Sequence, residues 1–213
     1  HVSVVAHCSD EDMAEAVSAD FIFRSPLSED MVRVVENNTV DTIDLSDPDE
    51  QAKWTLLGAD ETNHFIFASF NENAGLYISN DNASWQYTTI DAPSAAIAYR
   101  AFSVPEDNTP VEISFNWQAN GQSTIDYGRA FIAGADVEME IANHQAKFNG
   151  TQMTASNAIS GVYSLSSGVS VVLSGATAEQ SLADDDYVLD AGQYYIVFAW
   201  RNNDDEGAQN PKL

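Results

Sequence analysis

The sequence predicts an all-β protein built as an antiparallel sandwich, and three observations carry that expectation. Val111, Ile113, Phe115 and Trp117 alternate with Glu112, Ser114, Asn116 and Gln118. A helix would scatter those apolar side chains around its circumference, whereas a strand puts them on one face. Many short β-prone runs are separated by connectors of Asn, Asp, Gly, Ser and Pro, each of which favours turns. The run Tyr194–Trp200 is apolar at every position, as a central strand covered on both faces must be. Strands with one apolar face need a second layer, hence the sandwich.

Taken in order, residues 1–40 stand apart. Val2–Val5 reads as a short strand, and Ser9-Asp-Glu-Asp12 caps a short helix through Val17. Phe21–Phe23 is apolar and Ser25-Pro26 is a turn. Ser28-Glu-Asp30 offers another helix cap, but Val32, Val34 and Val35 pull toward strand. This region is expected to be an irregular N-terminal extension or the end of a preceding domain. Residues 41–213 are expected to form the sandwich. Ile43 and Leu45 make a short strand before the acidic turn Ser46–Glu50, and Trp54, Leu56 and Leu57 follow. Further strands are expected at His64–Phe70, Leu76–Ser79, Trp85–Ile90, Ile97–Val104 and Pro110–Ala119. After Gly121 come Tyr127–Ala133, Val137–Ala142, Val162–Leu165, Val169–Leu173 and Tyr194–Trp200.

Composition narrows the partners. The 213 residues carry 33 acidic against 8 basic side chains, a formal net charge of −25. Nucleic acid and anionic membrane surfaces are therefore poor partners, since both are held by Lys and Arg. The acidity reads either as a soluble extracellular surface or as carboxylates gathered for Ca²⁺. No apolar run is long enough to span a bilayer. Cys8 is the one cysteine, so no disulfide forms within the chain. Cys8 followed by Ser-Asp-Glu-Asp resembles the start of a surface lipoprotein. His7 departs from that pattern, and a lone buried thiol is the plainer reading. The first residue is His, which is expected of a processed or excised piece of a longer protein.

Four segments in order form a wider pattern: Gly75–Asp81, Ala98–Phe102, Ile113–Gly121 with Asp126–Arg129, and Gly192–Asn203. Together they resemble the choice-of-anchor J domain, a relative of cleaved-adhesin and MAM-like modules, over roughly residues 41 to 211. The resemblance implies a jelly-roll β-sandwich, of galactose-binding or MAM-like type, in a secreted or cell-surface bacterial protein. Each segment is equally accounted for by core strands and turns, so the pattern marks a fold more than a site. Glu138–Asp190 departs from the family pattern, and so does the end at Asn210–Leu213, where the family has a closing strand. The strand left unpaired is expected to recruit one from Val2–Val5 or Phe21–Phe23, from residues beyond 213, or from a neighbouring subunit by strand addition.

Candidate chemistry is sparse. No Gly-x-Ser-x-Gly elbow is present, and His7, His64 and His144 show no metal spacing. Asp136, Glu138 and Glu140 would share one face of a strand, with neighbours about 7 Å apart, which approaches the roughly 5 Å carboxyl separation of retaining glycosidases. An edge strand with a wet acidic face and with Val137, Met139 and Ile141 inward accounts for the same residues. Trp85 and Tyr87 follow an Asn/Asp-rich turn and offer a stacking platform for a sugar ring. By alternation with Ile90, one of the two reads equally well as core. For Ca²⁺ there are acidic turns at 47–50, 184–186 and 204–206, none matching an EF-hand. The resemblance places structural Ca²⁺ where first and last strands meet, which selects Asp47, Asp49, Asp204 and Asp205; solvated loops are the plain alternative. Asn37, Asn82 and Asn149 head glycosylation triplets.

The expected protein is thus a non-catalytic, secreted or cell-surface module for adhesion or ligand binding. Its partner would be a glycan or a host or cell-surface protein. The alternatives are a carbohydrate-binding accessory module of a secreted hydrolase, a β-glucan-type glycosidase using Asp136 and Glu140, and a surface-filament subunit.

Overall fold

A computed structural model describes residues 30–36, 39–70, 73–85, 87–88, 93–117, 125–165, 180–181 and 185–203. The strands are β1 Asp30–Glu36, β2 Thr39–Asp44, β3 Trp54–Leu57, β4 His64–Phe70, β5 Asn73–Ser79, β6 Ser94–Val104, β7 Thr109–Ser114 and β8 Asn116–Trp117. They continue with β9 Tyr127–Gly134, β10 Met139–Ile141, β11 Ala146–Phe148, β12 Thr151–Gln152, β13 Val162–Ser164, β14 Gln180–Ser181, β15 Asp185–Leu189 and β16 Gly192–Asn202. One short helix, α1 Pro48–Gln51, lies among them. The chain is all-β, and its paired strands run antiparallel.

Two sheets face each other across one apolar core. A four-stranded sheet has the order β15-β7-β1-β2, and a five-stranded sheet the order β13-β9-β16-β6-β3. Val111, Ile113, Leu189 and Ile43 come from the first; Ala98, Phe102, Ala130, Ile132 and Ile196 meet them from the second. The alternation at 111–117 therefore does what period two demands, with Val111, Ile113 and Phe115 buried. Phe115 meets Phe198 edge to face at 5.0 Å. Phe115 also interrupts the run: β7 ends at Ser114 and β8 starts at Asn116, pairing with β14 instead. Trp117 is half-buried against the core. Trp200 continues the face of Ile196 and Phe198 but lies over Tyr87 and Ile78.

The outer face of the five-stranded sheet is covered too. Ile97, Tyr127, Phe131, Val197 and Ala199 pack under Val137, Ala146, Phe148, Met153 and Ile159. That cover includes the small sheet β10-β11-β12. β16 is therefore apolar at every position from 194 to 200 because both of its faces are inside.

Two sequence expectations need correction. Trp85–Ile90 is not a strand where it is described: Trp85 lies in a bend and Tyr87 outside any strand. The Asp81 carboxylate is the reason, since it accepts from Ala83 N, Ser84 N and the Ser79 and Ser84 hydroxyls and closes a tight turn. Asp136, Glu138 and Glu140 do not share a strand face, because β10 begins only at Met139 and Asp136 sits in a turn. Of the two readings of the stretch through Val35, the strand is the one found where the chain is described, over Asp30–Glu36. That strand precedes the expected boundary at 40, yet it pairs with both β2 and β7. Val2–Val5, Cys8, the helix after Ser9, Phe21–Phe23, Asn37 and Val169–Leu173 lie outside the described residues.

Candidate functional site

The expected platform comes apart in the structure. Tyr87 is buried, its ring edge-on to Trp200 at 5.0 Å and its hydroxyl donating to Asp126 Oδ2 at 3.2 Å. Burial, together with the Asp126 charge, pushes its pKa well above the usual phenol value. Tyr87 has no free ring face to offer a ligand, so of the pair it is the core member. Trp85 is half-buried, edge-on to Tyr77 at 6.4 Å, and Tyr77 meets Phe70 at 4.8 Å. This leaves a partly exposed aromatic patch on the β4–β5 hairpin. Beside it Asn82 reaches His64 Nε2 at 2.8 Å.

The first acidic turn serves a helix. Asp47 is the N-cap of α1 and its Oδ1 accepts from Asp49 N at 2.9 Å. Asp49 is exposed. Glu50 turns inward and pairs with the buried Arg100 guanidinium and with Lys53 Nζ at 2.6 Å. Among the described residues no group of three His, Cys, Asp or Glu side chains could hold a metal ion. Asp184, Asp204 and Asp205 lie outside those residues, while Asp185 and Asp186, expected in an acidic turn, belong to strand β15 and pair with β7.

A groove missed in the sequence reading opens where β9 ends and β13 and β16 begin. β9 finishes at Gly134, and a turn closed by Val137 N to Gly134 O at 3.1 Å sends the chain away from the sheet. It returns at Gly161, whose carbonyl accepts from Gly134 N at 3.3 Å. β16 starts alongside at Gly192, with Ala135 N donating to Gln193 O at 3.1 Å. Together with Ala135, Asp136, Tyr163, Gln193 and Tyr194, these glycines line an open groove of about 380 Å³. That lies at the lower end of ligand-cleft sizes, roughly 300–1,000 Å³.

The glycines leave the floor bare. A Cβ on Gly134 would come within 2.7 Å of Asp136 Oδ1, so glycine there is what lets the carboxylate lie over the floor. Gly161 has φ +76° and would set a Cβ 3.1 Å from Val137. The walls are tyrosines. Tyr163 is 51% exposed, one of two large exposed apolar side chains among the described residues, the other being Val188. Its ring lies 6.1 Å from that of Tyr187, whose hydroxyl donates to Ser164 O. Outermost strands of the two sheets, β13 and β15, thus come side by side here. Tyr194 stacks on Phe102 at 5.8 Å and donates to Asp190 O at 3.0 Å. Partial burial, then the charge of Asp190, raises its pKa, so its hydroxyl stays neutral.

Glu138 and Glu140 are exposed and do not line this groove; Glu140 lies 3.8 Å from Lys147 Nζ instead. The only sequence sign of the groove was Asp136; Tyr163, Gly134, Gly161 and Gly192 come together only through the fold. Comparison with known proteins finds no matching family model, no matching curated protein and no matching solved structure.

Proposed function

We propose that this chain is a non-catalytic ligand-binding or adhesion module with jelly-roll connectivity, acting in a secreted or cell-surface protein as part of a choice-of-anchor J-like domain. The observation that carries the reading is the groove of Tyr163, Tyr194 and Asp136: an open, preformed surface with aromatic walls and a single carboxylate. Glycosidase chemistry asks for two carboxyl groups across the scissile bond. Neither Glu138 nor Glu140 stands opposite Asp136 in the groove. A net charge of −25 favours neutral or cationic partners over anionic ones. The test is a pair of assays on the intact chain, binding to a glycan array and to cell surfaces, run beside hydrolysis of β-glucans. The expected result is binding without turnover. Hydrolysis abolished by Asp136→Asn in a folded protein would overturn it.

Calcium belongs to the same reading as a structural partner, held by Asp47 and Asp49 with Asp204 and Asp205. Asp49, exposed beside the N-cap, is the carboxylate of the first turn open to such a role. Chelation should then lower the melting temperature and millimolar-scale Ca²⁺ restore it by mass action. An unchanged melting curve in chelator ends the calcium reading.

A further inference from the structure

From the groove we infer that the ligand is a neutral pyranose ring, stacked on Tyr163 and hydrogen-bonded by the Asp136 carboxylate. This rests on the binding-module reading above and gives it a place and a ligand class. The argument begins with what is exposed. A tyrosine with half its surface in solvent, on a three-residue edge strand between half-buried Val162 and Ser164, stabilises the core little. Its ring is nevertheless braced. Tyr187 packs against it at 6.1 Å and is itself tied by its hydroxyl to Ser164 O. An aromatic face held in place before the ligand arrives saves ordering entropy on binding.

The polar groups match hydroxyls better than charges. Asp136 is a carboxylate acceptor on the groove floor, and acceptors of that kind take hydrogen bonds from sugar hydroxyls. Tyr194 uses its hydroxyl hydrogen on Asp190 O, which leaves the phenolic oxygen as an acceptor. An anion would meet Asp136 and the overall charge of −25. A quaternary ammonium is held by several ring faces at once. Among the groove's lining residues only Tyr163 and Tyr194 are aromatic, and Tyr194 gives one ring face to Phe102, which falls short of such a cage. A purely apolar ligand would stay wet in so open a groove. A sugar ring has an apolar face of C–H groups and an equatorial rim of hydroxyls, and fits all three constraints.

The test uses the full chain with methyl α-D-glucopyranoside, methyl β-D-galactopyranoside and methyl α-D-mannopyranoside, followed by calorimetry or by NMR shifts. At least one should bind, with Tyr163→Ala weakening it tenfold or more and Tyr163→Phe leaving it within about threefold. Because Tyr163 is half-exposed, Tyr163→Ala should fold; Gly134→Ala, which drives Asp136 off the floor, gives a second and independent loss. Sugar binding that survives both substitutions would overturn the site while leaving the binding-module reading standing. Saturable binding of tetramethylammonium with no sugar binding would overturn the ligand class. If none of the three glycosides and no array glycan binds, the inference fails, and cell-surface adhesion separately decides the broader reading.

Discussion

Glu50 shows how much one side chain can decide. It follows the N-cap of a four-residue helix, too short to hold itself together, and it is 7% exposed. Arg100, equally buried at 7%, reaches it from the middle of β6. Burial alone would raise the Glu50 pKa, but hydrogen bonds and charge from Lys53 and Arg100 outweigh it and hold the carboxyl below its usual range. Removing Glu50 takes a neutralising carboxylate away from the buried Arg100, so Glu50→Ala should cost about 3 kcal/mol at neutral pH by denaturant melt. The sign with pH follows from the lowered value. The contribution is full above the unfolded carboxyl pKa of about 4.3 and fades as pH falls through the folded value. The gap between wild type and Glu50→Ala should therefore narrow between neutrality and strongly acid pH. A gap that stays constant with pH would show that the side chain acts by packing alone.

At the level of elements, the sequence was most legible where the apolar pattern of a strand runs without a break. Val111, Ile113 and Phe115 gave strand and face together, and Tyr194–Trp200 gave a strand with both faces covered. What covers the second face was not legible. Segment 137–159 has short strands and many turn residues, and its apolar side chains make sense only over Phe131 and Val197. The turns were misread for a related reason. Asn143 and His144 both have positive φ and join β10 to β11 in a two-residue hairpin, with His144 Nδ1 2.7 Å from Glu61 Oε2. No Asn-Gly pair announces it. The groove was hidden for the same cause, since Gly134, Tyr163 and Gly192 are far apart in the chain and adjacent only in the sheet. Arg129 fastens the cover: buried on β9, it donates from Nη1 to Thr154 O at 2.9 Å and Asn157 O at 3.1 Å, and from Nη2 to Ser164 Oγ at 2.9 Å. Arg129→Met keeps much of the apolar bulk and removes those donors. It should destabilise by about 2–3 kcal/mol and speed amide hydrogen exchange in 151–159 while β16 stays protected. Uniform loss of protection across β16 would mean the arginine holds the sheet and not its cover.

For the whole molecule, the decisive strand is β1. Sequence reading set residues before 40 aside because an acidic helix cap competed with three valines. In the structure β1 stands between β7 and β2, with Val34 opposite Ile113 and Val35 opposite Val40. Without it, β7 and β2 each lose a ladder, and an open edge is a site for unwanted pairing. Deleting residues 1–36 from the full chain should lower the melting temperature by roughly 10 °C, at 2–4 °C per kcal/mol for a domain of this size. It should also promote association on a sizing column. A truncated chain that is monomeric and melts like the parent would show that the four-stranded sheet does not depend on β1.

The hydrogen bond from Gly134 N to Gly161 O carries a consequence for how this fold can vary. Residues 135–160 depart from the five-stranded sheet and rejoin it one backbone contact away. The sheet's register therefore does not depend on how long that excursion is. Its length and sequence are free to drift, provided that something apolar still lies over Phe131, Val197 and Ala199. The groove sits at the neck of this excursion, between the two glycines where it begins and ends. A chain built this way keeps the groove fixed to the constant scaffold while a neighbouring, interchangeable stretch is free to reshape its rim.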